Sequence, residues 1–355
     1  MTHILIIKTG ALGDVLRTTS ILAGLQEREA AAHIEWVTAP AAASLVAGNP
    51  RVARVHRIDP KDEPAVQALG QELAQQCWDW VISLDDEWPL CRLASLLGVN
   101  RLSGAIVGED GERTYSSDVA PWFDMGLLSK HGKQAADRMK LANRRSHPEI
   151  YAQMLGVDMG RPELEIDADQ RKAARASLGA VAGQPRTWIG LNTGAGGRWT
   201  SKQLPVERVI ELAGLLQADA LGELGFVVLG GRDEAQRNAE ILAGLEGHAA
   251  GLTVVDAGTD NSLLAFAAII DSLDLLVTSD SLALHMAVAR KIPIVAFFAP
   301  TSAAEIELYG LGEKVQSLGA DYCSYRADAD NSSITPERLA SAANSVLTSR
   351  GEEAP

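Results

Sequence analysis

Short apolar runs alternate with longer amphipathic stretches along the whole chain, and this alternation predicts a doubly wound α/β fold. The apolar runs of the first half predict five strands, at residues 3–8, 33–38, 54–58, 80–84 and 101–106. Helices are expected after the first three of these strands. The clearest helix is predicted at 14–28, where one broad face is apolar and consists of Val15, Leu16, Ile21, Leu22 and Leu25.

The same pattern starts again at residue 187. The second half predicts strands near 187–192, 225–230, 252–255, 273–278 and 292–298, and helices near 205–220, 232–246, 262–271 and 281–290. Thr335 as an N-cap and Pro336 at the first helical position predict a last helix that ends near Leu347. A frayed tail is expected from Arg350 onwards.

Residues 180–186 are small, contain Gly and Pro, lack periodicity and therefore predict a domain boundary. We expect an N-terminal Rossmann-like domain at 1–180, a C-terminal Rossmann-like domain at 186–330, and a helix and tail at 331–355. A chain of 355 residues suits two domains. The two sheets are expected to face each other across a cleft, because ligands of such folds bind at the carboxyl ends of the strands.

Composition restricts the classes of function. A net charge of −14 argues against general nucleic-acid binding, which needs a basic face. The three cysteines show no metal-ligand spacing and indicate free thiols in a reducing compartment. No apolar run reaches the ~18 residues of a membrane span, and the N-terminal apolar run predicts a buried strand rather than a signal peptide. We therefore predict a cytoplasmic protein without a transmembrane segment.

The first predicted strand is followed by a loop that contains glycine and ends in a carboxylate, Lys8-Thr9-Gly10-Ala11-Leu12-Gly13-Asp14. Glycines at a strand–helix junction let backbone N–H groups approach a ligand, and a helix N-terminus favours negative charge. The G-x-G-x-x-G pattern of dinucleotide folds is absent here. Asp14 is either a carboxylate that caps the helix or a functional group, and this motif alone leaves both interpretations open.

The first strand of the second half leads into a longer glycine-rich loop, Asn192-Thr193-Gly194-Ala195-Gly196-Gly197-Arg198-Trp199-Thr200-Ser201-Lys202. Three glycines, hydroxyl groups and two cations near one strand end are typical of a phosphate-binding nest. The loop lacks the G-K-[ST] ending of a Walker A motif. The alternative is an ordinary loop in which Arg198 and Lys202 are solvated.

A third junction, Thr278-Ser279-Asp280-Ser281-Leu282-Ala283-Leu284-His285, places hydroxyl groups and a carboxylate at the start of a predicted helix. Ser281 and His285 are four residues apart and share one helix face. The free N–H groups of this helix are suited to a diphosphate, with His285 one turn deeper. The alternative is a hydrogen-bonded histidine of the core.

Two patterns of acidic residues could indicate a metal site or a retaining transferase. The run Asp85-Asp86-Glu87 is interpreted as a solvated loop, with a metal site as the alternative. Glu305 and Glu313 have the Glu-x7-Glu spacing of retaining transferases, which is an easy coincidence among 46 acidic residues.

Together the three junctions resemble glycosyltransferase family 9, the ADP-heptose heptosyltransferases of bacterial lipopolysaccharide core assembly. The opening Lys8–Val15 is similar to the strand–turn–Gly-Asp start of that family, and Lys202-Gln203-Leu204-Pro205 is similar to its Lys-x-Trp-Pro. The segment 229–234 resembles its Gly-x-x-x-Glu motif, and 280–285 resembles Asp-[Thr/Ser]-Gly-x-x-His. Leu282 and Ala299 stand where the family has glycine.

The resemblance implies a two-domain GT-B fold and an inverting, metal-independent transfer without a cofactor. The expected reaction moves a sugar, expected to be heptose, from a nucleoside-diphosphate sugar such as ADP-heptose to a hydroxyl of a saccharide or lipopolysaccharide-type acceptor. Asp14 is the implied general base. The expected donor-binding residues are Thr193, Gly194, Gly196, Arg198, Lys202, Glu234, Asp280, Ser281, Leu282 and His285.

Acceptor binding is expected in the first domain. Gly13 adjoins the base, and the basic stretch 130–145 contributes Lys133, Arg138 and Lys140. These cations suit an anionic glycan or a lipid-linked acceptor, which also implies peripheral contact with the inner face of the cytoplasmic membrane. The alternative is a solvated helix face.

Two other functions remain open at this point. A sugar-nucleotide 2-epimerase of the same fold would need no acceptor, and its product would still be a sugar nucleotide. A non-catalytic sugar-nucleotide-binding regulator would bind the donor and transfer nothing.

Overall fold

The computed structural model describes residues 1–180, 187–196, 199–220, 222–249 and 251–353. The chain forms two compact units, Met1–Glu165 and Ile166–Pro355. Helix α8 (Ala168–Gly179) packs against α11 (Leu263–Ile270), so it belongs to the second unit. The units therefore divide before α8, whereas the sequence placed the boundary after it, at 180–186. Residues 181–186 lie outside the described part of the chain.

The first unit is built on a six-stranded sheet. In chain order its strands are β1 (His3–Ile7), β2 (His33–Thr38), β3 (Arg54–Arg57), β4 (Trp80–Ser83), β5 (Leu102–Val107) and β6 (Arg113–Tyr115). The spatial order is β3-β2-β1-β4-β5-β6, in which the first five strands are parallel and β6 is antiparallel to β5. All five predicted strands are confirmed. The short edge strand β6 was not predicted.

Helices α1 (Leu12–Thr18) and α2 (Leu22–Arg28) occupy the predicted helical stretch 14–28, separated by a 3₁₀ turn at Thr19–Ile21. The hydroxyl groups of Thr18 and Thr19 donate to backbone carbonyls of α1, a bond typical of threonine that bends a helix. The predicted helix after β2 is wrong, because only a 3₁₀ turn at Ala43–Leu45 follows that strand. The remaining helices of this unit are α3 (Glu63–Leu73), α4 (Trp88–Leu96), α5 (Ala120–Phe123), α6 (Lys133–Ala142) and α7 (His147–Leu155).

The second unit carries a fully parallel sheet. Its strands are β7 (Thr187–Asn192), β8 (Leu224–Val228), β9 (Thr253–Asp256), β10 (Leu275–Ser279), β11 (Ile294–Phe298) and β12 (Gly312–Gln316), in the spatial order β12-β11-β10-β7-β8-β9. The five predicted strands are confirmed, and β12 is the additional edge strand. The helices beside α8 and α11 are α9 (Val206–Asp219), α10 (Ala235–Glu246), α12 (Leu282–Arg290) and α13 (Pro336–Glu353).

Helix α13 packs against α9 and the sheet of the second unit. Leu339, Ala343 and Val346 join the apolar core that strands β7, β8 and β10 also form. The predicted end near Leu347 is wrong, because α13 continues to Glu353. Extending an existing helix adds one hydrogen bond per residue, so it continues more easily than it starts.

Each sheet has one point where the strand order reverses, and parallel α/β proteins bind ligands there. In the first unit the chain runs outwards from β1 to β3 and then crosses back to β4, which pairs with β1 on its other side. In the second unit β7 and β10 have the same relation. The predicted junctions after β1, β7 and β10 therefore lie at the switch points of their own sheets. Among the described helices, none is long and apolar enough to cross a membrane.

Candidate active site

At the switch point of the first unit, a buried carboxylate holds the loop after β1. Asp85, two residues past β4, accepts from Lys8 Nζ at 2.5 Å and from Thr9 Oγ1 at 2.7 Å. It also accepts from the backbone N–H of Thr9. Asp85 is 4% exposed, so its interpretation as part of a solvated loop is wrong. The adjacency of β1 and β4 brings these groups together.

Asp14 is the third residue of α1, where the positive end of the helix favours a carboxylate. Its Oδ1 lies 3.0 Å from Nη2 of Arg17, one turn later in the same helix. The Asp14 side chain keeps 38% of its surface exposed, whereas that of Arg17 keeps 12%. The Arg17 guanidinium also lies over the ring of Trp122, 5.6 Å from its centroid. Asp14 is thus ion-paired and still accessible to a substrate.

The charge on Lys8 is maintained by its carboxylate neighbours. Burial alone disfavours the ammonium form, but the charges of Asp85 and Asp14 outweigh this and raise the Lys8 pKa above its ordinary value. Burial also raises the pKa of Tyr151 on α7, although the nearby Lys8 and Arg17 charges oppose that shift. Tyr151 is therefore neutral at physiological pH, and the charged groups of this cluster are two cations and two carboxylates.

In the second unit, side-chain hydrogen bonds join the ends of β7 and β10. Asn192 Nδ2 donates to Thr278 Oγ1 at 3.0 Å and to Ser281 Oγ at 3.1 Å. Ser279 Oγ donates to the Gly194 carbonyl at 3.2 Å. Ser281 is the N-cap residue of α12, and Leu282 is its first helical residue. The glycine-rich loop after β7 is therefore fixed beside the N-terminus of α12.

Lys202, Asp280 and His285 form a polar cluster at this point. Lys202 Nζ donates to the Asp280 carbonyl at 2.7 Å and to its Oδ2 at 2.9 Å, and His285 Nε2 lies 4.0 Å from Asp280 Oδ1. Burial would raise the Asp280 pKa, but the charges of Lys202 and His285 outweigh it and lower that pKa to about 2. Asp280 is therefore ionised and holds the Lys202 cation in place.

Glu234 fixes the tip of the glycine-rich loop. Its two carboxylate oxygens accept from the backbone N–H of Gly196 at 2.6 Å and of Gly231 at 2.8 Å, and the residue is 5% exposed. A Cβ atom at position 194 would lie 2.4 Å from Glu234 Cγ, so this position requires glycine. In this structure the Glu234 carboxylate binds the loop.

Arg237 is a loop-anchoring residue that sequence reasoning missed. Its Nη2 donates to Thr193 Oγ1 at 2.9 Å, to the Thr193 carbonyl at 3.3 Å and to the Leu204 carbonyl. It therefore ties the start of the loop to its end, and burial lowers its pKa. Its position in the sequence was the available signal: Arg237 lies one turn before the buried Ile241 on amphipathic α10, so it is expected on the same face of the helix.

The predicted acceptor residues lie on α1 and α6. Gly13 adjoins Asp14 in α1. On α6, Lys133 is exposed and pairs with Asp137 at 2.7 Å, Arg138 is exposed, and Lys140 is half-buried. The buried residue of α6 is Ala136, so this helix presents most of its surface to solvent.

Arg198, the other predicted donor cation, lies outside the described residues. Within the described ranges, no group of three or more His, Cys, Asp or Glu side chains is arranged to hold a metal ion.

The chain is similar in fold to solved glycosyltransferases over nearly its full length. The glycosyl transferase family 9 protein of Veillonella parvula DSM 2008 has 19% identity and a TM-score of 0.77, with 98% of each chain covered. The E. coli ADP-heptose lps heptosyltransferase II has 21% identity and a TM-score of 0.68, with 100% of each chain covered. E. coli heptosyltransferase WaaC with ADP-2-deoxy-2-fluoro heptose has 18% identity and a TM-score of 0.59, covering 99% of this chain and 100% of that one.

At these identities the likeness establishes the fold, which is that of GT-B glycosyltransferases. A search of curated protein sequences finds no match. The sequence profile described as Glycosyltransferase family 9 (heptosyltransferase) matches residues 66–333, a range that begins after Asp14 and includes every predicted donor-binding residue. Because this match spans most of the chain, the protein belongs to glycosyltransferase family 9 and is a glycosyltransferase.

Proposed function

We propose that this protein transfers a sugar from a nucleoside-diphosphate sugar to a hydroxyl of a saccharide or lipopolysaccharide-type acceptor and inverts the anomeric centre. The proposed donor is ADP-heptose. The observation that carries the proposal is the cluster of Lys202, Asp280 and His285 beside the N-terminus of α12, at the switch point of the second sheet. Two of the proteins that this chain resembles in fold are heptosyltransferases, and the structure of one of them contains ADP-2-deoxy-2-fluoro heptose.

The donor diphosphate is proposed to bind where Lys202 now meets Asp280. An incoming diphosphate carries more negative charge than one carboxylate, so it competes for the Lys202 ammonium group. The N–H groups of the first turn of α12 have no partner within the helix and are suited to phosphate oxygens. Leu282, the first helical residue of α12, supplies such an N–H as a glycine would.

The sugar transfer is proposed to occur in one displacement. The acceptor oxygen attacks the anomeric carbon, its proton passes to the Asp14 carboxylate, and the bond from that carbon to the diphosphate oxygen breaks. Attack opposite the leaving group inverts the configuration. Lys202 and the N-terminus of α12 stabilise the negative charge that develops on the leaving diphosphate.

The acceptor is proposed to be anionic and to meet the basic surface of the first unit. Six Lys and Arg residues and a single acid, Asp137, occur between residues 130 and 145 in a chain of net charge −14. Leu127, just before this stretch, is 91% exposed. An exposed leucine beside cations suits contact with anionic lipid headgroups at the inner face of the cytoplasmic membrane, where a lipid-linked acceptor would lie.

Replacing Lys133, Arg138 and Lys140 with Ser is expected to raise the acceptor KM without changing donor affinity. The matched control replaces Lys172 and Arg175, exposed cations of α8 in the second unit, with Ser. An acceptor KM that responds equally in both variants, or in neither, rules out the basic surface as an acceptor site.

A thermal-shift panel of nucleotide sugars tests the donor. A ligand that binds only the folded protein raises its melting temperature, and ADP-heptose is expected to give the largest shift, which Lys202→Ala reduces. A larger shift with a uridine or guanosine donor would replace ADP-heptose as the substrate. Incubation with the donor alone separates the epimerase alternative, because only an epimerase forms a new sugar nucleotide without an acceptor.

A further inference from the structure

A buried ion pair lies at the start of the loop that leads to Asp14. Asp85 takes three hydrogen bonds, from Lys8 Nζ and from the N–H and hydroxyl of Thr9, and the Lys8 and Asp85 side chains are 9% and 3% exposed. Nothing in the proposed transfer uses these residues directly. Because the Asp85 carboxylate lies beyond the end of β4, it fixes the loop after β1 from the neighbouring strand.

Stability alone gives little reason for such a pair. Removing two charges from water costs several kcal/mol per ion, and a buried pair often contributes no more than apolar residues of the same volume. The pair has a clearer consequence for its surroundings, since it fixes a cation and a carboxylate beside the helix that carries Asp14.

We propose that Asp85 is a positioning residue for Asp14: it fixes the Lys8–Thr9 loop from which α1 starts, and together with Lys8 it places one negative and one positive charge beside the Asp14 carboxylate. This inference rests on the proposed role of Asp14 as general base. It assigns a function to an acidic run that sequence reasoning interpreted as a solvated loop.

The charges around Asp14 act in opposite directions. Lys8, which follows β1, interacts electrostatically with Asp14, and Arg17, on α1 itself, pairs with it at 3.0 Å, so both cations favour the ionised carboxylate. Asp85, beyond β4, disfavours it because like charges repel, and Tyr151 from α7 is neutral. Asp85 thus offsets part of the effect that the Lys8 charge has on Asp14.

The test measures how kcat/KM depends on pH. On the acidic limb of this pH profile, activity falls as Asp14 becomes protonated. Asp85→Asn keeps the side-chain shape and removes one negative charge, so the limb is expected to move to lower pH by about one unit. Lys8→Met removes the cation instead, so the limb is expected to move to higher pH. The matched control is Asp86→Asn, which removes the same charge at a half-buried neighbour and is expected to leave the limb in place.

Each single variant leaves one buried charge without its partner and could therefore misfold. The double variant Lys8→Met/Asp85→Asn controls for this, because it leaves no uncompensated buried charge. Its limb is expected to return towards that of the wild type. Limbs that move in the same direction in both single variants, or that do not move, overturn the proposal and make the pair a purely structural contact.

Failure of the proposed function gives a different result. If Asp14→Asn retains its acidic limb and its turnover, Asp14 is not the base and the limb belongs to another group. If Asp14→Asn loses turnover while the Lys8 and Asp85 variants leave the limb unmoved, only the positioning role is wrong. Donor affinity, measured by calorimetry, is expected to stay unchanged in the Lys8 and Asp85 variants.

Discussion

The two units contain the same arrangement at their switch points. In each, a lysine that follows the first strand pairs with a carboxylate that follows the adjacent strand across the switch point. Lys8 after β1 meets Asp85 after β4, and Lys202 after β7 meets Asp280 after β10. Because both sheets place their crossover at the same relative position, the fold itself brings these residue pairs together.

The surroundings of the two pairs differ. Asp85 also binds both polar groups of Thr9, so Lys8 belongs to a closed set of hydrogen bonds. Lys202 and Asp280 are more exposed, at 14% and 16%, and lie beside His285 and a helix N-terminus. Under the proposed functions, the same kind of ion pair therefore serves two purposes. The closed pair, Lys8–Asp85, adjusts a neighbouring carboxylate, and the open pair, Lys202–Asp280, exchanges its carboxylate for a ligand.

The largest expected effect separates the two units by function. Asp14→Asn removes the proposed base and should lower turnover by roughly 10²- to 10⁴-fold. Donor affinity, which we propose depends on the second unit, should be unchanged. Steady-state kinetics and calorimetry with the nucleoside diphosphate measure the two quantities. If the variant keeps more than about a third of wild-type turnover, Asp14 is a helix-terminal carboxylate without a catalytic role.

Breaking the open pair is expected to have the next largest effect. Lys202→Ala should weaken diphosphate binding by roughly 10- to 100-fold, because charge-assisted hydrogen bonds to the ligand are lost, and transfer should slow with it. Calorimetry is the direct measurement, with Lys172→Ala as the control at an exposed lysine of the same unit. Equal affinities for the two variants would place the donor elsewhere.

The charge state of the open pair also predicts a pH dependence of stability. Since the Asp280 pKa is lowered from 3.8 to about 2, its contribution is complete above the unfolded-state pKa and is lost as pH falls through the folded-state value. Between pH 5 and pH 2, the free energy of unfolding of the wild type should fall by about 2 kcal/mol more than that of Asp280→Asn. Parallel pH curves for the two proteins would contradict a lowered Asp280 pKa.

The smallest expected effect is that of a chelator. The proposed leaving-group stabilisation comes from Lys202 and the N-terminus of α12, so transfer in excess EDTA should equal transfer without it. Loss of transfer with rescue by magnesium or manganese would show that a divalent ion shares the stabilisation of the diphosphate.

Periodicity predicted most of the sheets because buried parallel strands are continuous apolar runs, as in Ile4–Ile7 and Leu275–Val277. The edge strands β6 and β12 lack such an apolar run, since a partly exposed edge strand needs fewer apolar residues, and they were therefore not predicted. The sequence placed helix α8 in the first unit. Its packing on α11 is a tertiary contact, and no local sequence pattern reveals such a contact.

The candidate site was predicted unevenly for a similar reason. Lys202, Asp280 and His285 stand in short motifs, and the structure brings them together. Asp85 and Arg237 act through partners far away in sequence, so their roles depend on strand order and burial rather than on spacing. An arginine on the buried side of α10 was the one local sign available.

Transfer from ADP-heptose to a deacylated lipopolysaccharide inner-core saccharide tests the central claim most directly. Mass spectrometry of the product and NMR of the new anomeric centre are expected to show one added heptose with inverted configuration, with ADP released only when the acceptor is present. Asp14→Asn is expected to yield almost no product. A new sugar nucleotide formed without acceptor, or tight donor binding with no transfer to any saccharide, would contradict the claim.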